Sequence, residues 1–178
     1  MLQMLCPNEC VRSVTEIDLP RLWEQGLRGL ILDVDNTLLA WEADDLPQEV
    51  IEWADAARSQ GFRLCIASNG VKSRVRAIAD RLNVPAISKA VKPRKRPFRK
   101  ALELMGLPAG QAAVVGDQLF TDVLGGNRLD MYTILINPVS RNELRTTRLV
   151  RRVERRVISR LSKKGLLSPG AAKIRNIL

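Results

Sequence analysis

A small set of polar side chains could do chemistry here. Asp33 and Asp35 stand one residue apart at the end of an apolar run, and Asn36 and Thr37 follow them. Two carboxylates held that close repel each other unless a cation or a shared proton relieves them. Further along come Ser68-Asn69, Lys92, Asp117-Gln118 and Asp122. Four aspartates are hard oxygen ligands suited to Mg²⁺. A lysine can meet a bound anion as a point charge. Hydroxyl and amide donors at the start of a helix favour a phosphate. Such a set serves phosphoryl transfer, where catalysis is mostly positioning and charge stabilisation. Taken singly, each piece has a plainer reading as a turn, a cap or a solvated loop.

The elements needed to bring these residues together can be read from hydrophobic periodicity and punctuation. A short helix is expected over 19–25, then a buried strand over 30–34. A helix follows Pro47 and closes at Gly61, and a second strand covers 62–67. Next come a helix over 72–82, a short strand over 85–87, a helix over 98–105 and a fourth strand over 112–115. A short helix over 122–127 and a fifth strand over 132–136 complete the pattern. Apolar strands alternating with helices imply an α/β fold, a parallel sheet of about five strands covered on both faces. Right-handed crossovers place all strand C-termini along one edge, where ligands of such sheets bind. The polar residues above all fall at that edge.

Composition narrows the chemistry. The 178 residues contain no histidine, which excludes Ser-His and Cys-His catalysis and His-ligated zinc. Neither GxxxxGK[ST] nor GxGxxG occurs, so nucleotide binding of those kinds has no support. The net charge of +10 calls for an anionic partner. Aromatics at 4% are too scarce for base stacking, which disfavours nucleic acid. Cys6, Cys10 and Cys65 read as reduced thiols of a cytosolic protein. No signal-peptide pattern and no run of roughly 18 apolar residues is seen, so any membrane contact is expected to be peripheral.

Four motifs in order also carry a resemblance. Asp33-Val34-Asp35-Asn36-Thr37-Leu38, Ser68, Lys92-Pro93 and Gly116-Asp117-Gln118-Leu119-Phe120-Thr121-Asp122 resemble those of the haloacid dehalogenase (HAD) superfamily of phosphatases. The resemblance implies a three-layer Rossmann-like fold. It implies Asp33 as nucleophile, forming an aspartyl-phosphate, and Asp35 as general acid and base. It implies Thr37, Ser68, Asn69 and Lys92 around the phosphate and its turn. Mg²⁺ would be held by Asp33, Asp35 through its main-chain carbonyl, and Asp117, with Asp122 in support. Intervals of 35 residues from Asp33 to Ser68 and 24 from Ser68 to Lys92 leave no room for a cap domain. Blocks such as Ala90-Val91-Lys92-Pro93 and Val115 through Asn127 are similar to the YqeG family, itself similar to organellar phosphatidylglycerophosphate phosphatases. That implies hydrolysis of the terminal phosphate of phosphatidylglycerophosphate in phosphatidylglycerol synthesis.

The chain divides into a phosphatase domain over 1–140 and a basic helix and tail over 141–178, of which 165–178 is expected to be mobile. Residues 141–164 hold ten basic residues against two acidic ones. Val150, Val153, Val157 and Leu161 form a narrow apolar stripe. This segment either docks on the sheet with its arginines solvated or lies on an anionic leaflet. On the second reading the enzyme is cytoplasmic and peripheral on the membrane, and a lipid phosphate enters an open site. The alternatives are a phosphatase for a soluble or macromolecular phosphate, and a nucleic-acid or ribosome binder.

Overall fold

A computed structural model of the protein describes residues 2–140 and 145–167; expectations for 141–144 and 168–178 lie outside the described residues. The strands are β1 (Glu9–Val11), β2 (Gly29–Leu32), β3 (Arg63–Ala67), β4 (Ala86–Ile87), β5 (Ala112–Gly116) and β6 (Tyr132–Ile136). The helices are α1 (Leu19–Glu24), α2 (Gln48–Ser59), α3 (Lys72–Leu82), α4 (Lys95–Met105), α5 (Leu124–Asn127) and α6 (Arg145–Lys163). The strands form one parallel sheet in the order β1-β6-β5-β2-β3-β4. The α/β architecture with a parallel sheet expected from the sequence is the one found, and among the described residues no cap domain interrupts the site motifs. Between Asp33 and Ser68 the helical and strand elements are α2 and β3, and between Ser68 and Lys92 they are α3 and β4.

The sheet has a sixth strand that periodicity did not reveal. β1 is three residues long and too short to show alternation. It is fixed instead by Asn8, whose Oδ1 accepts the Thr133 N–H at 2.9 Å while its own N–H reaches the Thr133 carbonyl at 2.9 Å. Cys10 of β1 and Cys65 of β3 are both free and buried, and burial pushes each thiol pKa up to about 12.

Alternation along the strands sorts the helices into two layers. Leu30, Leu32, Leu64, Ile66, Val115 and Ile134 face one way and pack under α2 and α3. Ile31, Cys65 and Val114 face the other way and pack against Phe98, Ala101 and Met105 of α4. Cys10 and Leu135 lie on that second face as well, beneath Ile158 of α6. So α4 and α6 stand on the same side of the sheet. α4 begins three residues before its apolar pattern does, because Pro97 falls in the first turn, where its missing N–H removes no helical bond.

α6 docks on the domain through a face rotated from the expected one. Glu154, Ile158 and Leu161 are buried, whereas Val150 and Val153 are exposed. Among the described residues no helix is long and apolar enough to cross a membrane.

Candidate active site

β5, β2 and β3 are adjacent, so their C-terminal ends place Asp117, Asp33 and Ser68 side by side. Asp33 keeps the ladder for one more bond, donating its N–H to the Val115 carbonyl at 2.9 Å. The chain then turns at Asn36, which takes φ 61°, a conformation asparagine tolerates better than most residues. That early turn parts the two carboxylates of the first motif, which would share a face only along an extended strand.

The Asp33 carboxylate turns toward Lys92. Lys92 Nζ donates to Asp33 Oδ1 at 2.7 Å and to Asp122 Oδ1 at 2.6 Å, with its side chain only 2% exposed. Burial acts against the ammonium, but the charges and hydrogen bonds of Asp122 and Asp33 outweigh it and hold the lysine pKa above its ordinary value. At Asp122 the balance runs the other way. Desolvation pushes its carboxyl above the usual carboxylate range although Lys92 pulls it down.

Asp33, Asp117 and Asp122 bring one carboxylate oxygen each within 4.8 Å of one another, all three residues buried. Two of the three carboxylates, those of Asp33 and Asp122, share the one lysine, and all the donors are hard oxygens. The set therefore fits a divalent cation of the Mg²⁺ kind. The Asp35 carboxylate is not among them; only its main-chain carbonyl was expected to serve there.

Asp122 reaches this position on a π-type turn, Leu119–Val123, that leads into α5. Its Oδ2 accepts the Gln118 N–H at 3.2 Å and the Thr121 hydroxyl at 3.2 Å. The start of the turn is fastened from outside. Glu154 Oε1, on α6 and 2% exposed, accepts the Leu119 N–H at 2.7 Å and the Phe120 N–H at 3.4 Å.

Asp35 belongs to a second cluster. Arg74 of α3 donates from Nε to Asp35 Oδ1 at 2.9 Å and from Nη2 to the Ala40 carbonyl at 3.1 Å. Gly70 lies beside it: a Cβ there would come 3.0 Å from Asp35 Oδ2 and 3.3 Å from Ser68 Oγ. Ser68 Oγ accepts the Gly70 N–H at 3.1 Å, and Asn69 Oδ1 accepts the Lys92 N–H at 2.8 Å. Asn69 thus holds the loop that bears Lys92, whose peptide bond to Pro93 is cis. Thr37 is buried in the turn, its N–H on the Val34 carbonyl at 3.2 Å and its hydroxyl without a hydrogen-bond partner among the described residues.

The eight catalytic, phosphate-binding and metal candidates named from the sequence all lie on or next to this edge. Arg74 and Glu154 were missed. Nothing in the sequence marks Arg74, one of several cations on α3. Glu154 did leave a signal: it is an acid in register with Val157, Ile158 and Leu161 on an otherwise basic helix.

The family profile of haloacid dehalogenase-like hydrolases matches residues 24–130. A Bacillus subtilis (strain 168) protein named "Probable phosphatase YqeG" is 40% identical over 159 residues, covering 89% of this chain and 92% of its own. The Arabidopsis thaliana "Phosphatidylglycerophosphate phosphatase 1, chloroplastic/mitochondrial" is 27% identical over 180 residues, and the match spans 92% of this chain but half of that one. A crystal structure of an uncharacterized protein from Listeria monocytogenes serotype 4b shares the fold, at 18% identity and TM-score 0.51 over 66% of this chain and 86% of its own.

Proposed function

This chain belongs to the haloacid dehalogenase-like hydrolases, in the family of YqeG, and we propose that it is the phosphatase that converts phosphatidylglycerophosphate to phosphatidylglycerol. That it is a HAD-type phosphatase follows from its family. The lipid substrate, Mg²⁺ and the individual residue roles are our reading, and the observation that carries the catalytic part is the Lys92 bridge between Asp33 and Asp122 inside three clustered carboxylates.

In this reading Asp33 attacks phosphorus and becomes an aspartyl-phosphate. Lys92 holds the Asp33 carboxylate in place and supplies positive charge to the phosphoryl oxygens. Ser68, with the backbone after it, adds donors where α3 begins. Asp35, positioned by Arg74, gives a proton to the leaving oxygen and later takes one from the attacking water. Asp33, the Asp35 carbonyl, Asp117 and Asp122 would hold Mg²⁺, which supplies the charge neutralisation that lets one anion approach another.

The substrate part draws on the Arabidopsis relative's printed activity, on the net charge of +10 and on the lack, among the described residues, of a cap domain between the site motifs. In this reading the protein works from the cytoplasm at an anionic membrane surface, with the arginines of α6 and the rest of 141–164 adding electrostatic attraction.

The test compares Mg²⁺-dependent turnover of phosphatidylglycerophosphate with that of soluble sugar and nucleoside phosphates, using Asp33→Asn as control. We expect the lipid to be preferred and the variant to be inactive. Preference for a soluble phosphate would sink the lipid assignment. Equal behaviour of wild type and Asp33→Asn on every phosphomonoester would sink the mechanism.

A further inference from the structure

The loop that turns Lys92 into the site turns another side chain out. Lys92 is 7% exposed, whereas Val91 beside it is 54% exposed. Val91 takes φ 57°, an unusual conformation for a β-branched residue. The loop is firmly fastened. Lys89 N–H bonds the Gly70 carbonyl at 3.2 Å, Ala90 N–H the Ser68 carbonyl at 3.0 Å, and Lys92 N–H the Asn69 side chain at 2.8 Å. An apolar tip is thus held out rigidly next to the site.

Around that tip the surface is basic. The loop and the first turns of α4 line an open groove of about 680 Å³ with Lys89, Arg94, Arg96, Arg99 and Lys100, against one acid, Glu103. Lys100 pairs with Glu103 at 3.1 Å. The other four cations form no ion pair among the described residues. Unpaired cations about an exposed aliphatic tip match a surface that has phosphate at one level and hydrocarbon just beneath it. A single-stranded nucleic acid would be met by aromatic platforms, and none of the lining residues is aromatic. α6 is less suited, because Ile158 and Leu161 are spent on the domain.

We propose that this groove and the Val91 tip are the surface by which the protein docks on an anionic phospholipid leaflet, bringing the adjoining Asp33–Lys92 site to headgroup phosphates. The delivery of headgroups rests on the lipid-substrate reading above; the docking itself does not.

The test is flotation of the full chain with phosphatidylcholine vesicles, with and without phosphatidylglycerol, at low and high salt. Wild type should float only with the anionic vesicles and fall away as salt rises. Arg94→Glu/Arg96→Glu/Arg99→Glu should lower partitioning about a hundredfold, and Val91→Ser several-fold. Arg152→Glu/Arg155→Glu/Arg156→Glu on α6 should lower it far less. Thermal unfolding establishes that each variant is folded, and if the groove triple is not, Arg99→Glu and Val91→Ser decide the matter. Retained binding by the folded groove variants overturns the proposal, as does equal binding to neutral vesicles. Groove-dependent binding of single-stranded RNA without vesicle binding overturns it too. Groove-dependent flotation without turnover of phosphatidylglycerophosphate would fault the substrate assignment and leave the docking surface standing.

Discussion

Asp122 lies across the end of β5 so closely that a Cβ on Gly116 would sit 2.2 Å from its carboxyl carbon. The bare backbone at Gly116 is what admits the third carboxylate. Gly116→Ala should therefore displace Asp122 from Lys92 while the sheet survives. Because misplacement of about 1 Å can cost about 10²-fold, kcat/KM should fall by about that factor. Circular dichroism should stay unchanged. Wild-type turnover would mean that the Asp122 turn shifts freely.

Lys92 is the one cation in contact with Asp33 and Asp122 among the described residues. Lys92→Met leaves buried carboxylates unopposed, and breaking a buried pair from one side costs about 3–5 kcal/mol. Denaturant unfolding in chelator should show a loss of that order. Added Mg²⁺ should restore part of it by binding the folded state, and should stabilise the variant more than the wild type. A variant as stable as wild type in chelator would contradict the ion-pair account.

Arg74 touches the Asp35 carboxylate and, through the Ala40 carbonyl, the segment that follows the first motif. As a positioning residue its removal should act mainly on kcat. Arg74→Ala should reduce kcat by about 10–10²-fold, within what positioned acid–base groups contribute, with KM moved little. Arg74→Lys keeps the charge but cannot span both acceptors, and should recover activity in part. A change confined to KM would assign Arg74 to substrate binding instead.

Glu154 acts on the site through backbone, since its carboxylate receives the Leu119 and Phe120 N–H groups at the start of the Asp122 turn. Supporting groups around a metal site typically govern affinity by about 10–100-fold. Glu154→Gln should weaken Mg²⁺ binding by at least ~10-fold in calorimetric titration. It should also speed hydrogen exchange at the two amides. Unchanged exchange there would show that the contact does not hold the turn.

The sheet and its site were legible in the sequence to different depths. Strands such as Ile31 through Leu32 and Val114 through Val115 are apolar because both faces are covered, so they announce themselves. The carboxylates do so as well, because they fall where those runs end. What stayed hidden depends on contacts between distant segments. β1 exists because Asn8 finds Thr133, a separation of 125 residues. Arg74 matters because α3 happens to pass the Asp35 turn. The inward face of α6 is set by where Leu135, Leu119 and Cys10 leave a gap, and no helical period carries that information. The first motif misled in one respect, since its two carboxylates part company at Asn36 and take separate partners.

β1 is the first strand to be made and the last to find its neighbour. Its register partners, Ile134 through Ile136, lie at the far end of the domain. At a synthesis rate of about 5–20 residues per second, the wait is roughly ten seconds. Through that interval Cys10 and Val11 have no sheet to join, and the Glu154 clasp on Leu119 comes later still. A ribosome paused after Asp122 and before Tyr132 would hold a nascent chain that already contains every aspartate of the site and lacks the parts that close it.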